Sequence, residues 1–332
     1  MSNRLENHYA LLIGVGECDN PQWSLPVTVK DIQALKSVLI DPDWCGYVDD
    51  EQHIRLLYNE TATKEAILSG LNWLKEKAAS NSEATVIVYY SGHGWLNEST
   101  GKYFLVPHDS KTSLLAAEQF NETLKQIHAK RLLVIIDSCH AQGMVSRKDE
   151  PNKFKLPPNF IAKSLPEKII QDFKSGKESA IFSSSTGAEQ SWILPDNSMS
   201  IYTYHFLAAL LGAGNEPGEQ YVRISDLIEY LSETVSQTTQ NYHHRQQTPI
   251  FDLNGTNFPI AFLHGAKGLS QNELNYLKQD PKQIINKIIN NAKSSVKKEI
   301  IKTISEYLES GLFVLCHQFT SSRKKSNIRI YK

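Results

Sequence analysis

Two stretches decide the fold of this chain: TVIVYYSGHG at residues 85–94 and RLLVIIDSCH at residues 131–140. Each begins with a short apolar run rich in β-branched residues and ends in small, polar and reactive side chains. Such runs, flanked by helix-patterned segments, are typical of buried strands in a parallel sheet. Because open α/β sheets place their chemistry at the carboxyl ends of the strands, we expect His93 and Cys139 to lie side by side.

The flanking sequence continues this alternation of strands and helices. Strand-type patterns occur at 9–16, 53–59 and 180–185, and helix-type patterns at 29–40, 64–78, 117–128, 201–211 and 224–236. This order is the βα pattern of a mainly parallel central sheet flanked by helices, so the predicted fold class is α/β.

A histidine beside a cysteine suggests nucleophilic catalysis. A thiol with an ordinary pKa of about 8.5 is only a few per cent thiolate at neutral pH, so it needs a base to take its proton. His93 is the candidate base and Cys139 the candidate nucleophile. Taken alone, a cysteine after a buried strand is as often a small core residue. His140 is the weaker candidate base, because the side chain of an adjacent residue points away from its neighbour's.

Three segments resemble one known family. Cys139 follows His93 by 46 residues, close to the interval of about 50 expected of caspase-type enzymes. Together with LLIGVG at 11–16, the segments YSGHG at 90–94 and DSCH at 137–140 resemble the caspase-fold cysteine peptidases (peptidase C14-like), specifically the metacaspase and prokaryotic orthocaspase branch.

This resemblance covers roughly residues 8–263. It implies a caspase-like sandwich, acyl transfer through Cys139, and an oxyanion hole formed by the backbone N–H groups of Gly94 and Cys139. The two glycines beside His93 are interpreted as leaving room for a substrate main chain.

The resemblance also implies a substrate pocket with acidic walls. Asp137 stands two residues before Cys139, and Asp31 lies in a segment similar to the one that supplies the second pocket aspartate of metacaspases. Two carboxylates would attract Arg bidentately and Lys as a point charge, so cleavage is expected after Arg, then Lys, and not after Asp. The alternative for Asp31 is a carboxylate at a helix N-terminus, worth about 0.3–1 kcal/mol.

Four further residues complete the predicted substrate-binding set. Ser91 and Thr28 match small polar positions of the family's pocket. Ser184 and Trp192 lie in a segment, 183–192, that resembles the lining of the substrate cleft. We expect a strand edge there to pair with an extended peptide. Trp192 is either the wall of a secondary subsite or an ordinary surface aromatic.

The segment 143–178 is predicted to be a long connection. It contains four prolines and eight basic residues. An enzyme that cuts after basic residues would find its own sites in such a loop, so self-processing is one hypothesis and an uncut solvated loop is the other.

Charge divides the chain into a predicted peptidase domain, residues 1–264, and a small helical module, residues 265–332. The module carries 13 Lys and Arg against 5 Asp and Glu, while the whole chain has a net charge of −1. It could recruit a protein partner, as small adaptor domains do on bacterial caspase-like proteins of immune and cell-death systems, or cap the peptidase domain. A basic triplet at 323–325 is weak evidence for nucleic-acid binding, which is not expected.

Composition bounds the remaining properties. The polar start and the lack of any apolar run of 18 residues predict a soluble, cytoplasmic protein without a membrane partner. The four cysteines show neither zinc-site nor disulfide spacing. The chemistry needs no cofactor. Activation by Ca²⁺ is left open, because Asp109 is one of few carboxylates between His93 and Glu118. The sequence thus predicts a regulated endopeptidase acting on proteins or peptides; a catalytically idle or partner-gated adaptor is the alternative.

Overall fold

The computed structural model describes residues 5–138, 156–172, 178–263 and 267–294. The chain divides into two compact units, Met1–Asn286 and Lys287–Lys332. The strands and helices named below lie in the first unit, and the described part of the second, residues 287–294, is helical. The predicted boundary after residue 264 and the predicted module 265–332 stay predictions, since residues 295–332 lie outside the described ones.

The described residues form twelve strands and seven named helices. The strands are β1 (His8–Gly14), β2 (Ile54–Tyr58), β3 (Thr85–Gly92), β4 (Gly94–Asn97), β5 (Tyr103–Leu105), β6 (Leu115–Ala116), β7 (Arg131–Ser138), β8 (Phe160–Ala162), β9 (Glu178–Ser183), β10 (Tyr221–Arg223), β11 (Ile250–Asn254) and β12 (Pro259–Phe262). The helices are α1 (Val27–Ile40), α2 (Lys64–Ser80), α3 (Ala117–Leu124), α4 (Glu167–Asp172), α5 (Ile201–Leu210), α6 (Ile224–His243) and α7 (Gln271–Gln279).

Six strands form the central sheet in the order β11-β9-β7-β3-β1-β2. Every pairing is parallel except that of β11 with β9. Strands β3 and β7 are paired through Ser91 with Asp137 and through Gly92 with Ser138. His93 follows β3 directly, so the register brings this predicted catalytic residue to the edge of the sheet where β7 ends in Asp137 and Ser138.

The two faces of the sheet pack against different helices because side chains alternate along a strand. Val88 and Tyr90 of β3 lie in the core cluster that includes the apolar stripes of α2 and α3. Tyr89 points to the opposite face, where its ring stacks on Phe206 of α5. All eight residues of β3 are buried. Burying each large apolar side chain contributes about 1.5–3 kcal/mol, so this central strand is fixed firmly.

The predicted α/β fold class and its mainly parallel sheet are confirmed. The predicted strands and helices are all present, with helix 117–128 ending at Leu124 and helix 224–236 extending to His243. The sequence did not predict the smaller sheets, β6-β5-β4-β8 and β10-β12. It was wrong to treat 143–178 as a plain connection, because β8 and α4 lie within it; residues 143–155 and 173–177 lie outside the described ones.

None of the helices in the described ranges is long and apolar enough to cross a membrane.

Candidate active site

His93 lies directly after β3, at the carboxyl edge of the sheet, and is only 2% exposed. Its Nε2 is 2.9 Å from the carbonyl oxygen of Trp23. A carbonyl can only accept a hydrogen bond, so Nε2 carries the proton. In the neutral imidazole the other ring nitrogen, Nδ1, is therefore the basic one. The fold thus fixes both the orientation and the tautomer of this histidine.

Tyr90 holds the turn that carries His93. Its hydroxyl lies 2.8 Å from the His93 carbonyl oxygen and accepts a bond from the Val106 N–H at 3.1 Å. Burial raises the pKa of Tyr90 well above its usual value, so this hydroxyl keeps its proton. A Cβ on Gly92 would lie 2.5 Å from the hydroxyl oxygen of Tyr90. Glycine is therefore required here by the tyrosine.

Tyr103 plays the same part on the other side of His93. Its hydroxyl lies 2.8 Å from Ser138 Oγ and donates to the Lys163 carbonyl at 2.9 Å. A Cβ on Gly94 would come within 1.7 Å of that hydroxyl. The space that a side chain would fill at Gly92 and Gly94 is occupied by the hydroxyls of Tyr90 and Tyr103. The interpretation that these glycines leave this space open for a substrate is therefore wrong.

The predicted nucleophile Cys139 and its neighbour His140 lie outside the described residues, as does the Cys139 half of the predicted oxyanion hole. Gly94, the other half, is described, and its carbonyl accepts a bond from Lys163 N at 3.0 Å. Ser138, the residue before Cys139, is fully buried, and Tyr103 holds its hydroxyl.

Asp31 is a buried carboxylate on the second turn of α1. Its Oδ1 accepts the Ser200 N–H at 2.9 Å, and its Oδ2 accepts the hydroxyls of Ser200 at 2.6 Å and Ser91 at 3.1 Å. The alternative of a helix N-terminal carboxylate is wrong, because the first turn of α1 holds no acidic residue. Thr28, one turn earlier, is also buried and donates its hydroxyl to the Leu25 carbonyl at 3.1 Å.

Asp137 is the second buried carboxylate, at the end of β7. Its oxygens accept the hydroxyls of Ser191 at 2.7 Å and Thr203 at 3.3 Å. The Thr203 hydroxyl in turn lies 2.5 Å from that of Tyr89. Burial raises the pKa of Tyr89 well above its usual value, and the charges of Asp137 and Asp31 raise it further. Ser91, whose hydroxyl bonds Asp31, is also the residue of β3 that is paired with Asp137 of β7, so the structure brings these two predicted residues to the same part of the sheet.

Apart from Ser91, the sequence did not predict the residues that hold these carboxylates. Ser191, Ser200 and Thr203 are fully buried, as is Gln247, whose side-chain amide donates to the Ser184 carbonyl at 3.1 Å and to Ser191 Oγ at 3.3 Å. No sequence pattern marked them, because Thr203 stands between two tyrosines that also carry hydroxyls, and a histidine follows.

Ser184 and Trp192 occupy different surroundings. Ser184 is buried after β9, and its N–H donates to the Ile136 carbonyl at 3.1 Å. Trp192 is half-buried, stacks on His243 with ring centroids 4.6 Å apart, and lines a cavity of about 410 Å³ that Lys163 and Arg245 also border. The expected free strand edge is absent at β9, which is paired on both sides, by β7 and β11.

Metal ligation has no clear candidate in the part of the chain that the structure describes, where no group of three or more His, Cys, Asp or Glu side chains could hold an ion. Asp109 accepts the N–H of Lys64, the first residue of α2, at 2.9 Å. It serves there as a partner for an otherwise unpaired helix N-terminal donor.

Comparison with protein-family models identifies the family of this chain. Residues 7–258 match the peptidase C14 family, described as Caspase domain. This span covers the central sheet, His93, both buried carboxylates and the hydroxyl groups around them. A search of curated proteins found no match.

Proposed function

The chain belongs to the caspase-domain family of cysteine peptidases, and on that basis we propose that it is an endopeptidase that cleaves after Arg, and less efficiently after Lys, with a His93–Cys139 dyad. The observation that carries this proposal is a pair of fully buried carboxylates near the carboxyl ends of the two central strands: Asp137 at the end of β7, and Asp31, which is bonded to Ser91 of β3.

The pocket chemistry follows from burial. Hydroxyl and amide donors orient the oxygens of Asp31 and Asp137 in a site shielded from water. Two like charges held close in such a site repel each other, and a bound cation relieves the repulsion. A guanidinium can donate several bonds in one plane, whereas an ammonium is a point charge, so Arg is preferred over Lys. An aspartate side chain would add a third negative charge and is excluded.

The reaction proceeds in two acyl-transfer stages. Nδ1 of His93 accepts the thiol proton as Cys139 sulfur attacks the scissile carbonyl carbon, and the N–H groups of Gly94 and Cys139 stabilise the oxyanion. Collapse of the tetrahedral species breaks the C–N bond, and the proton on His93 goes to the leaving amine. Water then attacks the thioester, giving its proton to His93, and the thiol leaves with that proton.

The bond to Trp23 has a role in this cycle. The imidazolium formed by proton transfer keeps its Nε2 donor bond to the Trp23 carbonyl, 2.9 Å away. That bond therefore stabilises the positive charge without moving the ring. His93 can return the proton from the same position in which it received it.

Within the family, we assign the protein to the metacaspase and orthocaspase branch. We propose that it acts in the cytoplasm as a regulated immune or cell-death effector, and that residues 265–332 recruit it to a protein partner. Self-processing within 143–178 is part of this proposal. Two of the eight basic residues there are described: Lys163 follows β8 and has its backbone N–H and carbonyl bonded, while Lys168 lies in α4. Cleavage is therefore not expected after these two residues.

The test uses purified wild-type protein with Cys139→Ala and His93→Ala variants. Peptide reporters ending in Arg, Lys or Asp are assayed with and without Ca²⁺, and fragments of each protein are mapped by mass spectrometry. We expect wild type alone to cleave after Arg and Lys and to cut itself after basic residues between 143 and 178. Cleavage after Asp would overturn the pocket assignment. Silence of the wild-type protein in every condition would overturn the proposed activity and favour a catalytically idle or partner-gated adaptor.

A further inference from the structure

A second cavity lies away from His93, in the first unit of the chain. Its volume is about 430 Å³, within the usual range of small-molecule sites of roughly 300–1,000 Å³. One wall comes from α5, α6 and the hairpin 193–200, and the other from the end of α7 and the residues just after it. The family match ends at residue 258, so this second wall is built by sequence beyond the matched domain.

The lining of this second cavity is aromatic. Tyr204 and His205 enter from α5, and Tyr230 and Tyr242 from α6. The His205 ring lies 4.9 Å from Tyr204 and 5.9 Å from Tyr230, centroid to centroid. Tyr242 is 58% exposed, so its ring face is available to an occupant. Aromatic walls of this kind favour a planar ring as the ligand.

Cations stand at the mouth of the second cavity. Lys282 is paired with Asp196, whereas Lys278, also exposed, has no ion-pair partner within the described ranges. Polar side chains of α6, Gln237 and Thr234, supply hydrogen-bonding groups between the rings and the lysines. A ligand with a planar ring and a negatively charged group could stack on the aromatic residues and pair with Lys278.

The hairpin 193–200 connects this cavity to the buried carboxylates. Ile193 and Ser200 are bridged, and the turn between them is held on one side by Lys30 Nζ, 2.9 Å from the Asn197 carbonyl, and on the other by Lys282. Asp196 faces the cavity, while Ser200 at the end of the hairpin holds Asp31. Leu194 and Pro195 of this hairpin also line the cavity, so an occupant that contacts them acts on the same segment that positions the pocket.

Helix α5 makes a second connection. Thr203 bonds Asp137, and the next two residues, Tyr204 and His205, line the second cavity. The short segment 191–205 thus has two faces. Its substrate side consists of Ser191, Ser200 and Thr203, which bond the buried carboxylates, and its cavity side consists of the residues that line the second cavity.

We propose that the second cavity binds a small planar anion with the size and chemistry of a nucleoside monophosphate, with its ring against Tyr242 and Tyr230 and its phosphate on Lys278. Binding braces hairpin 193–200 and so raises peptidase activity. The effect on activity rests on the proposed function, whereas binding itself does not.

Binding is tested on the full-length Cys139→Ala chain, which cannot cut itself. The four nucleoside 5′-monophosphates of RNA are titrated by calorimetry up to about 1 mM, with adenosine and inorganic phosphate as probes of the ring and the anion alone. We expect at least one monophosphate to bind, and to bind more tightly than either part. Absence of binding for all four overturns the proposal.

Matched variants locate the bound molecule. Tyr242→Ala and Lys278→Ala should each weaken binding about tenfold, since loss of one stacking ring has effects of this order. Tyr276→Ala is the control: Tyr276 is 50% exposed on α7 and does not line the second cavity. Lys102→Ala is the control for charge. Equal weakening by a variant and its control, with unchanged melting of the unbound proteins, contradicts the assignment to this cavity.

The activity arm uses wild-type protein and the Arg reporter. The monophosphate that binds should raise kcat/KM at least about threefold in wild type and not in Tyr242→Ala. Binding without any change in kcat/KM would overturn the coupling through hairpin 193–200 and leave the site itself intact. Binding by a chain that is inactive in every condition would refute the proposed function and not the site.

Discussion

The segment 191–205 has two faces that are built in different ways. On one, Ser191, Ser200 and Thr203 are fully buried and bond Asp31 and Asp137. On the other, Asp196 and Tyr204 are partly or largely exposed around a cavity of about 430 Å³. The same fifteen residues thus serve a closed polar network and an open aromatic one.

The difference teaches what each face tolerates. A buried carboxylate that loses one hydroxyl donor keeps its charge without full hydrogen bonding, which lowers the stability of the folded protein. An exposed pair such as Lys282 with Asp196 is screened by water and contributes little. We therefore expect substitutions on the substrate side to damage the protein and those on the cavity side to leave folding and basal activity nearly intact.

The largest effect is expected from Asp137→Asn. Removing one charge from the pocket should lower kcat/KM for an Arg reporter about 10²–10³-fold, because losing one partner of a buried charge pair has effects of about 2–5 kcal/mol. The control is Asp196→Asn on the cavity side, which should change the same constant less than about twofold. Equal losses in the two variants would remove the distinction between the faces.

Much of the substrate side was predictable, because its main residues follow strands that can be recognised from their own sequence. Buried parallel strands are apolar along their whole length, so 85–90 and 131–136 were recognisable, and their ends carried His93, Asp137 and Cys139. The hydroxyl groups were not predictable. Ser200 lies 169 residues from Asp31 in sequence, and only the packing of α1 against α5 brings them together.

The cavity side left no sequence pattern at all. Its lining residues are scattered over the hairpin 193–200, α5, α6, the end of α7 and the residues just after it, with two to five residues from each. The small sheet β6-β5-β4-β8 was missed for a related reason. Its strands are two to four residues long, too short to show alternation.

The second largest effect is expected from Ser200→Ala, which removes the hydroxyl 2.6 Å from Asp31 Oδ2. Since bonds to charged groups are worth about 1.5–3 kcal/mol, the free energy of unfolding in urea should fall by about 2–3 kcal/mol. Ser198→Ala removes a similar bond, 2.6 Å to Asp196, at the surface. A loss there above about 1 kcal/mol would contradict the contrast between the faces.

His205 links the cavity face to pH. Burial lowers its pKa from the ordinary 6.5 to about 3. Between these values the unfolded chain binds a proton that the folded chain does not, so stability is full above pH 6.5 and falls as pH decreases. From pH 7 to pH 5 this group should remove about 2 kcal/mol from the free energy of unfolding. His205→Gln should flatten the decline by that amount, and an unchanged slope would refute the assignment.

The smallest effect is expected on the cavity wall. Thr238→Val removes the hydroxyl 2.7 Å from His205 Nε2 and should lower the free energy of unfolding by about 1 kcal/mol. Thr234→Val on the same helix removes only a bond to the carbonyl of Tyr230, one turn earlier, and should change stability by less than about 0.5 kcal/mol. Chemical denaturation distinguishes the pair, and the reverse order would show that His205 is held by other contacts.

The central claim, that Asp31 and Asp137 select a cationic residue, is tested most directly by one comparison of kcat/KM between peptide reporters ending in arginine and in citrulline, its neutral isostere. We predict that wild type prefers arginine by about 10³-fold or more, and that Asp137→Asn reduces this preference at least tenfold. Equal cleavage of the two reporters by the wild-type protein would show that the buried carboxylates do not read the charge of the substrate, and would contradict the account.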